Sequence, residues 1–180
     1  MKKLLGLVSV VAVAGAISTA NAMDRTGKFG LGAQETFSGA GFGTATLGSW
    51  SVKYGVSSNV NAQFVLGFQF GNNGANRMAE FGARVLYDLV EAENSDFYTG
   101  IGFGWNQDKV NGTADSRALR INVPLGYEFS FAGLPEIGFS AEAGIMYDIT
   151  GFGGGSKTNS IQSVGGNTGG SLGLGVHYYF

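Results

Sequence analysis

The sequence has no cysteine, two prolines and one histidine, and charged residues make up only 13% of its 180 positions. The missing cysteine excludes disulfides, thiolate nucleophiles, cysteine-ligated zinc and lipid attachment through an N-terminal cysteine. Scarce proline, with no three-residue glycine period, excludes a collagen-like chain. Ordinary soluble domains are about 25% charged. Here the deficit comes with 44% hydrophobic residues, which argues against intrinsic disorder. A formal net charge of −2 offers no basic footprint for nucleic acid. Beyond Ile17 no apolar run approaches the roughly 18 residues of a membrane-spanning helix.

What is abundant is glycine, 32 residues, and aromatic side chains, 13%. Lys2 and Lys3 precede the apolar run Leu4–Ile17, and Ala20-Asn21-Ala22 follows it. That three-part layout is the pattern of a secretory signal peptide cut after Ala22. The expected organisation is therefore an export segment over 1–22 and a single domain over 23–180.

After Gly27 the apolar residues alternate with period two, the mark of strands with two unlike faces. Eight strands are predicted: Lys28–Gln34, Thr44–Tyr54, Asn61–Phe70, Glu80–Leu89, Phe97–Asn106, Ala118–Phe129, Glu136–Ile149 and Ser171–Phe180. In the third, Ala62, Phe64, Leu66, Phe68 and Phe70 oppose Asn61, Gln63, Val65, Gly67 and Gln69. The connectors Gly55–Asn59, Glu91–Ser95 and Phe131–Pro135 are short. Glu35–Gly43, Gly71–Ala79, Gln107–Arg117 and Thr150–Gly170 are longer. This alternation predicts an all-β, eight-stranded antiparallel up-and-down barrel with its short turns at one end.

Period alone does not say which face is outside, but the polar face does. It is rich in glycine, including Gly30, Gly67, Gly102, Gly126, Gly138 and Gly175, and it carries every charge of the strand cores. Glycine on a water-facing strand surface weakens the strand and packs nothing. The opposite face is uncharged, as a lipid-facing surface must be. The barrel is thus expected to be transmembrane, with strands near the 9–11 residues that a tilted crossing uses. Aromatics concentrate at two levels: Tyr54, Phe97, Tyr127, Phe129, Tyr178 and Phe180 near the short turns, and Phe68, Phe70, Phe81, Trp105 and Tyr147 near the long loops. Pro124 lies mid-strand, where it cannot donate to a ladder, and Gly48 falls on the apolar face. A bulge is expected near one of them.

The run Gly173-Leu174-Gly175-Val176-His177-Tyr178-Tyr179-Phe180 resembles the terminal signature of bacterial outer-membrane proteins. Together with the signal peptide and eight strands, the chain resembles the small barrel family typified by the OmpA transmembrane domain and OmpX. The resemblance implies a Gram-negative outer-membrane location, with lipid and lipopolysaccharide around the barrel. It also implies an assembly machinery that reads Tyr178 and Phe180, and extracellular partners met through the long loops. The periplasmic peptidoglycan-binding domain of larger members is expected to be absent.

A narrow eight-stranded interior is filled by side chains, and charges buried in it must be paired. Arg84 and Arg120 are expected to reach over Gly102 and Gly104 toward Glu80, Glu142 and Asp148. Lys53, Asp88, Glu128 and His177 would form a lower tier. Such a plug predicts a structural or surface-interaction role in the cell envelope. A gated, porin-like channel for small solutes is the alternative. No catalysis is expected, since one histidine near the C-terminus assembles no nucleophile, base and orienting group. No cofactor or metal is expected either. Asp108, Asn111 and Asp115 lack the spacing of an EF-hand loop, and Gly153-Gly154-Gly155 lacks the Lys-Ser/Thr pair of a phosphate loop.

Overall fold

The computed structural model describes residues 24–34, 49–70, 77–109, 116–151, 157–163 and 171–180. The expected export segment over 1–22 and Gly48 lie outside the described residues. The elements are β1 (Phe29–Gln34), β2 (Ser49–Ser57), β3 (Val60–Phe70), β4 (Arg77–Ala92), β5 (Ser95–Lys109), β6 (Ser116–Phe131), β7 (Leu134–Thr150), β8 (Thr158–Ser163) and β9 (Ser171–Tyr179). Consecutive strands from β1 to β7 pair antiparallel, and β9 pairs with both β7 and β1, closing an eight-stranded ring.

The predicted loop Thr150–Gly170 is corrected by this arrangement. β8 lies within it and pairs with the loop-side half of β7, Ile145 to Thr150, while β9 takes Ile137 to Gly144. The eighth stave is therefore made of two segments in line along one edge of β7. β8 reads Thr-Asn-Ser-Ile-Gln-Ser, with a single aliphatic residue, so no alternation marks it as a strand.

The stagger of the ring follows from the register. One row of partners runs Val176, Ala33, Trp50, Leu66, Phe81, Trp105, Leu119 and Ile149. Val176 also pairs with Phe139. One circuit therefore climbs ten residues along β7, from Phe139 to Ile149. With strands about 4.8 Å apart and rising about 3.3 Å per residue, this gives a tilt of about 40° and a radius of about 8 Å.

Of the two expected bulge positions, Gly48 lies outside the described residues and Pro124 carries no bulge. β5 and β6 pair through Thr99↔Leu125 and resume at Gly102↔Asn122, three residues further on each side. The missing proline N–H opens the ladder without shifting it, and Thr99 Oγ1 donates to the Pro124 carbonyl at 2.9 Å. The register shifts lie instead at Gly55/Ser57, Asp88/Val90 and Phe129/Phe131. Each stands beside a two-residue turn: Ser58-Asn59, Glu93-Asn94 or Ala132-Gly133. Two of the backbone donors at these shifts are taken by the neighbouring hairpin's turn. Asp88 N–H donates to the Asn59 carbonyl at 2.9 Å and Ser130 N–H to the Asn94 carbonyl at 2.8 Å. This answers the demand that displaced backbone groups find partners.

The barrel is inverted relative to a soluble domain. Phe64, Leu66, Phe81, Val85, Ile101 and Phe103 are exposed, whereas Lys53, Arg84, Arg120, Glu128, Glu142 and Asp148 are buried. On β5 the outward apolar series runs from Phe97 to Trp105 and is bounded by Ser95 and Gln107. That is close to the 9–11 residues of one tilted crossing. β4, β5, β6 and β7 themselves have 16, 15, 16 and 17 residues, longer than expected, because ladder pairing continues past the predicted strands at both the turn end and the loop end. At the turn end Phe29 packs on Tyr54 at 4.7 Å between ring centroids and on Phe180 at 6.4 Å. Phe129 packs on Tyr127, Phe131 and Phe139. Ile101→Arg, near mid-height, should cost about 2–4 kcal/mol in denaturant unfolding from lipid vesicles, while Ser95→Arg at the margin should cost about 0–1 kcal/mol.

Candidate functional site

The strand pleat sends every second side chain into a lumen only about 8 Å in radius, so the inward residues meet across it in tiers. At the turn end the acceptor is Glu128 of β6. It is ion-paired to Lys53 of β2 and to Arg25 at 2.9 Å, and Tyr179 Oη donates to it at 2.6 Å. Arg25 precedes β1, and its strap is fastened by Gly27 N–H to the Gly55 carbonyl at 2.8 Å and Gly55 N–H to the Lys28 carbonyl at 3.1 Å. From there the guanidinium enters the barrel, lies 4.4 Å from the Tyr179 ring centre and reaches Asp96 at 3.3 Å. Glycine makes this packing possible. A Cβ on Gly30 would sit 2.6 Å from the Tyr179 ring, and one on Gly138 would sit 2.2 Å from Glu128 Oε1. Asp88 accepts from Asn61 Nδ2 at 2.8 Å in the same region.

The middle tier is built on Glu142 of β7. Arg84 of β4 grips it with two parallel bonds, Nη1 at 2.7 Å and Nη2 at 2.6 Å, the fork geometry that makes such pairs strong. Tyr98 donates to the same carboxylate, and its ring lies where a side chain on Gly126 would stand. Arg84 Nε donates to Gln63 Oε1 at 2.6 Å, and Gln63 Nε2 donates to Gln34 and, at 2.6 Å, to Ser51 Oγ. His177 Nε2 lies 2.8 Å from that hydroxyl.

The loop-side tier pairs Arg120 of β6 with Asp148 of β7, Nε at 2.6 Å and Nη2 at 2.8 Å. Ser49 Oγ donates to Glu80 at 3.4 Å. Arg120 Nη1, Glu80 Oε1, Asn106 Oδ1 and Asn122 Oδ1 are buried without a hydrogen-bond partner among the described residues, so this tier is the least saturated.

Of the residues singled out in the sequence, Arg84 meets Glu142, Arg120 meets Asp148 and Lys53 meets Glu128. Glu80 is bonded to Ser49, Asp88 to Asn61 and His177 to Ser51. Tyr178 and Phe180 point outward, 6.5 Å apart between ring centres. Arg25 lies before the periodic segment, and Asp96 falls between the predicted turn Glu91–Ser95 and the predicted strand Phe97–Asn106, so neither was singled out in the sequence. Tyr98, Tyr179, Gln34, Gln63 and Ser51 all have inward parity, the signal that finds them. Ser51 and His177 form the hydroxyl-and-imidazole contact of the described lumen. Both are fully buried, and His177 Nδ1 has no hydrogen-bond partner among the described residues. The pair thus lacks the orienting group and the access that nucleophilic catalysis needs. Among the described residues no group of three or more His, Asp or Glu is arranged to hold a metal.

No family model and no curated protein matches the chain. Among solved structures it is similar to the crystal structure of a major outer membrane protein from Thermus thermophilus. That similarity has 13% identity and a TM-score of 0.38, covering 85% of this chain and 98% of the other.

Glu142→Ala should cost about 3–5 kcal/mol in unfolding experiments, because Arg84 is left as an uncompensated buried charge. Replacing Arg84 and Glu142 together by leucine should recover most of that loss.

Proposed function

We propose that the chain is an integral barrel of a Gram-negative-type outer membrane, delivered by its 1–22 export segment, with a structural and surface-interaction role and no catalysis. The observation that carries this reading is the pairing of an apolar exterior with a lumen closed by ion-paired tiers. Lipid contact rewards the outward Phe64, Ile101 and Phe103, and ring closure gives every described strand except β8 a partner on both edges, as hydrocarbon demands of backbone groups. In this reading both chain ends are periplasmic, on the side of the two-residue turns, and the long connections face outward from the cell. The barrel-assembly machinery reads Tyr178 and Phe180, and external partners are met by the loops.

A channel needs a path for solute. What supports a closed barrel is that Glu128, Glu142 and Asp148 each hold a cation from another strand across or along the lumen wall. In planar bilayers the refolded protein should show no discrete conductance steps. Reproducible steps would replace the structural role by passive passage of small solutes.

A further inference from the structure

The described cations fall into two main sets. Arg25, Lys53, Arg84 and Arg120 are buried inside the barrel. Arg77, Lys109, Arg117 and Lys157 lie at the loop-side ends of β4, β5, β6 and β8. Arg77 and Lys109 are register partners, as are Gln107 and Arg117. Gly151 N–H donates to the Arg117 carbonyl at 3.1 Å, and Thr150 pairs with Thr158, which brings Lys157 to the next stave. With strands about 4.8 Å apart, these four residues form one collar over neighbouring staves.

The collar continues the lipid-facing surface. Arg77, Lys109 and Arg117 share the parity of Phe81, Trp105 and Leu119, which stand two to four residues nearer mid-barrel on the same strands. A ligand on this surface would meet apolar contacts below and positive charge above. The turn end carries the opposite sign, with Asp24, Glu91, Glu93 and Glu136 against Lys28.

We infer that the collar is a docking surface for the phosphates of lipopolysaccharide, whose acyl chains lie against Phe81, Trp105 and Leu119. The inference rests on the outer-membrane reading and deepens it by naming the lipid and its contacts. Charge complementarity selects the occupant. Four clustered cations match a saccharide headgroup bearing several phosphates, whereas a zwitterionic phospholipid brings its own balancing charge. Attraction of basic side chains to an anionic lipid surface accumulates residue by residue. The acidic turn end repels the same headgroup, so the barrel matches an asymmetric bilayer in one orientation.

The test uses full-length mature protein in nanodiscs of phosphatidylcholine containing graded lipopolysaccharide, with lipid bound per barrel read by native mass spectrometry. Wild type should retain lipopolysaccharide. The quadruple variant Arg77→Gln, Lys109→Gln, Arg117→Gln, Lys157→Gln should bind it at least tenfold more weakly, and Lys28→Gln should match wild type. Phosphatase-treated lipopolysaccharide should lose affinity for the wild-type barrel to the same degree, an arm that needs no variant to fold. Retention of the dephosphorylated lipid, or binding by the quadruple variant, within twofold of the wild-type value would overturn the inference. Wild type that forms a protease-resistant barrel yet shows no preference for lipopolysaccharide overturns this inference alone. Failure to form such a barrel in any bilayer overturns the membrane reading beneath it.

Discussion

Closing eight strands with a stagger of ten residues fixes the radius of the ring at about 8 Å, and most other features follow from that width. A wider ring would admit water, and its inward charges would be solvated individually. Here Arg84 spans the space itself, from β4 to Glu142 of β7, while Arg120 pairs along the wall with Asp148 of the adjacent stave. The same width explains much of the inward glycine. Each bulky inward ring, such as Tyr98 or Tyr179, lies where a neighbouring stave offers no side chain.

The interior is polar because the exterior solvent is taken to be hydrocarbon. In water, burying apolar area at about 25 cal/mol per Å² would reward an apolar lumen. Lipid gives no such reward for moving Phe64 or Ile101 inward, so specificity passes to hydrogen bonds and ion pairs. Those interactions are directional and long-range in sequence: Lys53 and Glu128 are 75 residues apart, and Ser51 and His177 are 126 apart. They hold one register of the ring and penalise others, a role attested for buried polar groups elsewhere.

Parity made the two faces legible from sequence, because β2 and β3 alternate without interruption through their membrane-facing segments. Pairing across the lumen was only partly legible. The extra residues Val56 and Leu89 beside the turns shift each hairpin by one, and parity cannot count them. Arg120 and Asp148 are direct register partners of one hairpin, whereas the choice of Glu142 for Arg84, three staves away, depends on the accumulated stagger rather than on any local pattern. Pro124 looked like a site for a bulge because its missing donor is visible in the sequence. The barrel instead tolerates an opened stretch of ladder there, while the bulges among the described residues fall where hairpins turn. β8 was illegible because its composition is that of a polar loop.

Arg25 touches residues of β5, β6 and β9, while its own backbone is bonded beside Gly55 of β2. No partial assembly of staves supplies all of these at once. The contact therefore belongs to the end of folding: the segment emerging first during synthesis gains its full set of partners only after the last strand has docked. Chain order and order of consolidation run in opposite directions at this one side chain, which makes its protection from solvent a report on whether the ring has closed.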